Sequence, residues 1–237
     1  MRFVLIPMLV VLATVFLTAC DDMPRDQEDT FKHIKGTGRL RAGLIENPPW
    51  VVRTAGEPAG VEVELIRQFA AENGAQPEWQ WGGEEKLLGA LEKFELDLVA
   101  GGFSDSTPWS KRVGLTSQYY KEKFDVGVPP GTPPVTELTG REIAVDRDSR
   151  LTGMLREKDA VPVEMSGLAS SRGTPVAAPD WKLSMLGLTP SDNALHTDRH
   201  VLATPPGENQ LVKRLDEFLS ARKEQIPSML QQCEETK

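Results

Sequence analysis

The strongest constraint on this chain is an alternation of short apolar strands with amphipathic helices between residues 39 and 102. Arg39 to Ile45 places apolar side chains at Leu40, Ala42 and Leu44, the two-residue period of a strand. Gly36 and Gly38 break the chain before it. Asn47, Pro48, Pro49 and Trp50 stop it, because the prolines lack amide donors and fix an extended loop. Gly60 to Glu64 leads into a helix over Leu65 to Asn73. There Val61, Leu65, Ile66 and Phe69 fall at helical spacing, and Asn73 with Gly74 forms a C-terminal stop. A strand over Pro77 to Trp81 comes next, then a helix over Glu84 to Phe94 with Leu87, Leu88 and Leu91 on one face. A strand over Glu95 to Ala100 completes the series, with Gly101 and Gly102 opening a loop. This order implies right-handed crossovers and a parallel sheet with helices outside.

The second half is less regular. Strands are expected over Lys123 to Val128, Arg141 to Val145, Pro162 to Met165, Gly173 to Ala178 and His200 to Thr204. Pro129 to Pro134 is a proline-rich breaker. Ser149 is placed to cap a helix over Arg150 to Lys158, and Asp180 to cap one beginning at Trp181 and ending near Gly187. Gln210 to Arg222 reads as the final helix, with Leu211, Leu215 and Phe218 inward.

Hydrophobic content of 39% and charged content of 26% describe a soluble globular domain. A formal net charge of -8 argues against nucleic acid as a partner. The three histidines, His33, His196 and His200, show no metal-ligand spacing with cysteines or one another. Neither a Ser/His/Asp arrangement nor a metal cluster is visible, so no catalytic residue, cofactor or metal site is expected.

The N-terminus sets the compartment. Arg2 precedes an apolar run from Phe3 to Leu17, roughly fifteen residues, which fits a signal-peptide core and is short for a membrane span. Leu17 to Cys20 then resembles the lipobox of bacterial lipoproteins, which is cut just before the cysteine. Residues 1–19 are thus expected to be a signal peptide and Cys20 the lipidated first residue of the mature chain. Residues 20–30 read as an acidic, flexible tether. Asp21 and Asp22 resemble a signal that retains some lipoproteins on the periplasmic face of the inner membrane. With Cys20 so used, Cys233 is the second of two cysteines and lies in a polar tail, residues 231–237.

The order of motifs resembles the bacterial extracellular solute-binding proteins of family 3. The matching pieces are Gly38 to Gly43, Pro48 to Trp50, Gly60 to Glu64, Leu88 to Leu91 and Asp97 to Gly102. Thr107 with Pro108, Thr116 to Tyr120, Leu138 to Val145 and Gly207 to Asn209 follow in order. The resemblance implies an α/β fold of the two-lobed type 2 periplasmic-binding-protein kind, with two hinge strands and a ligand in the interlobe cleft. Lobe one would hold residues 30–122 and 201–230, lobe two residues 123–200, with hinges near Lys123–Val128 and Val201–Pro205.

By the same resemblance Trp50 stacks on the ligand, Gly102 and Ser104, after the third strand, offer an amide and a hydroxyl to an anionic or carbonyl group, and Thr107 is a further ligand residue. The departure falls at Thr107-Pro108. Amino-acid binders carry a carboxylate-clamping arginine just beyond, and Trp109 or Ser110 stands in its place. Arg112, further along, does not fully substitute. Trp109 beside Trp50 suggests a ligand with an apolar or cationic face. Ser149 stands where the family holds a carboxylate, though Asp148 would repel an anion. Asp180 corresponds to the family's amine-binding aspartate, a role that competes with capping.

The expected function is capture of a small polar or amphipathic metabolite by a monomeric lipoprotein. It is tethered to the membrane through the lipid on Cys20 and serves an ABC importer permease. A second reading is a sensor or accessory protein of the same fold acting on another inner-membrane protein. A third is an enzyme similar to cyclohexadienyl dehydratases.

Overall fold

The computed structural model describes residues 25–235, apart from 172 and 193. The signal segment, Cys20, Asp21, Asp22 and the last two tail residues lie outside them. Lobe one begins with α1 (Thr30–Thr37), β1 (Arg39–Leu44), α2 (Val61–Glu72) and β2 (Gln76–Trp81). It continues through α3 (Glu84–Glu92), β3 (Leu98–Ser104) and the short β4 (Gly114–Leu115). The long β5 (Tyr120–Val128) crosses to lobe two, which holds β6 (Glu142–Asp146), α4 (Leu151–Glu157), β7 (Val161–Met165), β8 (Val176–Pro179), α5 (Asp180–Met185) and the short β9 (Thr189–Pro190). Strand β10 (His196–Thr204) returns to α6 (Asn209–Ser220) and α7 (Ile226–Glu235). No helix among the described residues is long and apolar enough to cross a membrane.

The strands run β2-β1-β3-β10-β5-β8-β6-β7. As expected, β1 pairs in parallel with both β2 and β3, and β6 pairs in parallel with β7 and β8. The two parallel halves meet at β5 and β10, an antiparallel pair joining His196–His200 to Tyr120–Phe124. The crossing ladder overlaps the span Lys123–Val128 at Lys123 and Phe124 and ends just before Val201. Leu40, Leu44, Leu65, Ile66, Phe69, Leu211 and Leu215 build the core of lobe one. Phe124, Val126, Ile143, Val145, Leu151 and Leu155 build that of lobe two.

Helix α2 starts at Val61, before the expected Leu65, because the preceding loop caps it. The amides of Val61 and Glu62 donate to the carbonyls of Pro49 and Trp50, at 3.1 and 3.0 Å. Glu62 is fully buried. Its carboxylate accepts the amides of Gly101 and Gly102, at 2.9 and 2.8 Å, and the Tyr119 hydroxyl at 2.5 Å. Gly101 and Gly102 consequently continue β3 to Ser104 instead of opening a loop.

Two expectations at the termini are corrected. The tether is docked from Asp26 onward: its buried carboxylate accepts the amides of Phe31 and Leu211, both at 2.8 Å. Glu208 in turn accepts the amides of Glu28 and Thr30. The polar tail is largely helix α7. Ile226, Met229, Leu230 and Cys233 recur at helical spacing, and that stripe packs on the core of lobe one. The opposite reach of α7 crosses to lobe two. Lys182 on α5 bonds Glu234 at 2.7 Å and Asp146 at 2.8 Å. Burial lowers the Lys182 amine, but these two carboxylates outweigh it and hold it above its ordinary value.

Burial pushes the Glu62 carboxyl above its ordinary value of 4.5, and the hydrogen bonds from Tyr119 and the two glycines, with nearby His200, offset this only in part. Glu62→Gln is expected to cost about 1–3 kcal/mol, because glycine amides lose a charged acceptor. The folded state takes up the Glu62 proton before the unfolded state does. The wild type therefore gains stability as pH falls through the folded value toward 4.5. The glutamine variant lacks that gain, so urea unfolding should show the gap widening as pH falls toward 4.5. Lys182→Met should cost about 1–3 kcal/mol in the same measurement, since it leaves Asp146 and Glu234 without their shared cation. An unchanged midpoint would show that α7 does not brace lobe two.

Candidate functional site

A cavity of about 330 Å³ lies between the lobes. Lobe one supplies Asn47 to Trp50 and Gly102; lobe two supplies Phe124, Asp146, Arg150, Trp181 and Lys182. Glu122, Asp198 and His200 rise from the crossing strands, and Glu234 reaches in from α7. Gly102 has φ +66°, and a Cβ there would lie 2.5 Å from Asn47 Nδ2 and 2.9 Å from the Trp50 ring, so the backbone passes directly against the indole. Trp50 is only 3% exposed. Its ring lies 3.8 Å from that of His200 and 5.7 Å from that of Tyr120.

Of the expected ligand residues, Trp50 and Gly102 line this cavity and the other five do not. Trp109 is not beside Trp50. It packs in the cluster of Phe103 and Val113, and Arg112 sits 4.5 Å over its ring. The segment after Thr107 is one 3₁₀ turn over Pro108–Lys111 rather than a longer helix, and Thr107 Oγ1 accepts the Trp109 amide at 3.4 Å. Arg112 forks onto Glu92 with two bonds of 2.6 Å, away from the cleft. Ser104 pairs with the hydroxyl of Ser106, and the Gly102 amide goes to Glu62 instead of facing a ligand. Ser149 accepts the Leu151 amide at 3.2 Å. Asp180 is the first residue of α5, not its cap, and accepts the Trp181 amide at 2.8 Å. Burial pushes its carboxyl up, as does the charge of Glu122, although the Trp181 amide and Lys123 oppose this. Ser149 and Asp180 each adjoin a lining residue, Arg150 and Trp181.

The polar groups that do meet in the cavity were not singled out from the sequence. Glu122 accepts the Trp181 indole N–H at 2.7 Å on one oxygen and lies 3.1 Å from His200 Nε2 on the other. Arg150 donates to Asp198, and His196 Nε2 lies 2.9 Å from the second Asp198 oxygen. Burial alone would raise the Asp198 carboxyl; Arg150 and His196 outweigh it and hold it below its ordinary value. The signal for these residues was the two-residue period of β10. His196, Asp198 and His200 share one face of that strand, and Glu122 stands directly opposite Asp198 on β5. The strand was expected to begin only at His200, which leaves His196 and Asp198 off it. Chemically the cavity combines aromatic walls with four carboxylates, an imidazole and the cations of Arg150 and Lys182, an acidic excess that suits a cationic group more than a free carboxylate.

The model of the bacterial extracellular solute-binding proteins, family 3, matches residues 40–227. Among curated proteins, the membrane-bound lytic murein transglycosylase F of Vibrio parahaemolyticus is 29% identical over 111 residues, 46% of this chain and 21% of that protein. That of Mannheimia succiniciproducens is 28% identical over 120 residues, 50% of this chain and 25% of that protein. The match thus spans a quarter or less of these relatives. Among solved structures, an ancestral cationic amino-acid solute-binding protein aligns with TM-score 0.66 at 16% identity, covering 87% of this chain and 98% of the other. The unliganded, open L-cystine solute receptor of Neisseria gonorrhoeae aligns with TM-score 0.64 at 16% identity, covering 86% and 94%. These likenesses carry the two-lobed type 2 periplasmic-binding-protein fold. With its match extending over most of both lobes, the chain belongs to the bacterial extracellular solute-binding proteins, family 3.

Proposed function

We propose that this protein is a membrane-tethered, extracytoplasmic solute-binding lipoprotein. In this reading Cys20 carries the lipid anchor at the periplasmic face of the inner membrane, and the interlobe cavity captures a small polar or amphipathic solute for an ABC-type importer. The observation that supports it is the cavity on the crossing strands, where both lobes contribute aromatic and charged walls. Its volume, about 330 Å³, suits a small metabolite. Trp50, Phe124 and Trp181 supply apolar faces, and Glu122 and Asp198 favour a solute bearing a cationic group. Closure would follow from the solute contacting both lobes at once.

A second reading is a sensor or accessory protein, favoured by the way the cavity's polar groups are already engaged. Arg150 is held by Asp198, and Lys182 by Asp146 and Glu234. A solute must displace these pairs or bind between them. The partial match to membrane-bound lytic transglycosylases is compatible with this fold serving a membrane-associated partner.

A thermal-shift screen of the protein against amino acids, polyamines, quaternary amines and small organic acids separates the readings. A specific solute at about 100 times its Kd should stabilise the fold by about 3 kcal/mol. Trp50→Ala, with folding checked by circular dichroism, should lose the response, whereas Trp109→Ala should keep it because that ring lies outside the cavity. Equal loss in both variants would move the site. Silence across the panel would favour the accessory reading.

A further inference from the structure

We propose that the face shared by the two crossing strands is a binding site for a divalent transition-metal ion, with Glu122, Asp198 and His200 as its ligands. This rests on the cavity being the protein's binding site, and it names a ligand class for it.

The argument begins with strand geometry. Side chains two apart on a strand point the same way. His196, Asp198 and His200 therefore line one face of β10, and Glu122 joins them from β5 because it pairs directly with Asp198. Two carboxylates placed opposite each other on paired strands repel. Here both are buried, at 4% and 7% exposure, and the repulsion is offset by partners: Arg150 and His196 on Asp198, Trp181 and His200 on Glu122. One oxygen from each carboxylate and one nitrogen of His200 all lie within 4.8 Å of one another. Small side-chain movements bring such donors around one ion at bond lengths of about 2.0–2.2 Å.

His200 is 2% exposed and lines the cavity. Its Nε2 faces Glu122 at 3.1 Å, so this is the nitrogen shown turned toward a carboxylate, and the ring's other nitrogen, Nδ1, has no hydrogen-bond partner in the protein. Outer partners are also in place. The Trp181 indole fixes one Glu122 oxygen, leaving the other toward His200, and His196 orients Asp198. Two oxygens with an imidazole nitrogen favour zinc, nickel, cobalt or copper over magnesium or calcium, which take all-oxygen shells.

The competing charge is Arg150. Its guanidinium bonds Asp198 and lies 4.5 Å over the Phe124 ring, with the side chain 49% exposed. A metal ion and Arg150 contend for the same carboxylate. Because Arg150 precedes α4 of lobe two while Asp198 lies on β10, metal binding would release a contact between lobe two and the crossing strands.

The test uses the untagged full-length chain in detergent, stripped with a chelator and titrated with zinc, nickel or cobalt chloride by calorimetry, and with magnesium chloride as the contrast. One saturable site is expected for the transition metals and none for magnesium. Asp198→Asn and His200→Gln should each weaken binding at least about tenfold. Arg150→Ala, a half-exposed change that leaves the core intact, should tighten binding, and it decides the matter if either ligand variant fails to fold. The proposal is overturned by absent saturable binding, by unchanged binding in His200→Gln, or by weaker binding in Arg150→Ala. A solute response in the thermal-shift screen without metal binding would overturn this proposal alone. Silence in both would overturn the solute-binding reading as well.

Discussion

The antiparallel ladder between β5 and β10 is the constraint on which the rest of the molecule depends. It joins two parallel half-sheets that would otherwise be separate units, and it forms the floor of the cavity between them. A two-strand connection resists twisting less than a packed sheet does, so this is where the lobes can move relative to each other. The same ladder fixes the chemistry. Its register places Glu122 against Asp198 and aligns both with the histidines of β10. A slip of one residue would turn all four toward the opposite face.

Above that floor, internal partners occupy nearly every charged group. Glu62 takes the glycine amides at the end of β3, Asp198 takes Arg150, and Lys182 bridges Asp146 to Glu234. Such pairing satisfies buried charge, which otherwise costs several kcal/mol, on the order of a whole domain's margin of stability. It also sets the terms for any ligand. A solute or ion entering the cavity gains only the difference between its own contacts and those it displaces. This is why Arg150, half exposed and singly paired, is a better candidate for displacement than Lys182, which two carboxylates hold.

The terminal segments show how a polar composition conceals packing. Residues 25–30 read as tether because Asp26, Glu28 and Asp29 are acidic, yet the buried Asp26 accepts one amide from nearby Phe31 and one from distant Leu211. Residues 231–237 read as tail because Gln231, Gln232, Glu234 and Glu235 surround Cys233, yet Ile226, Met229, Leu230 and Cys233 make an apolar stripe that runs into that segment. The second case was legible by periodicity. The first was not, since nothing local to Asp26 announces that Leu211 will stand beside it.

Local rules determined the order of strands and helices in lobe one, the parallel pairing they imply, and the cores at Leu40, Leu65 and Phe69. Those features follow from periodicity, turn residues and short connections, which act over a few residues. Motif order added the two-lobed family. The tertiary structure alone decided which side chains share the cavity. It sent Trp109 to a separate cluster, gave the glycine amides to Glu62, and brought Glu122 and Arg150 to Asp198 from far along the chain. The physical reason is that strand register and interlobe contact are set by burial of the whole, and spacing along the sequence carries no information about either.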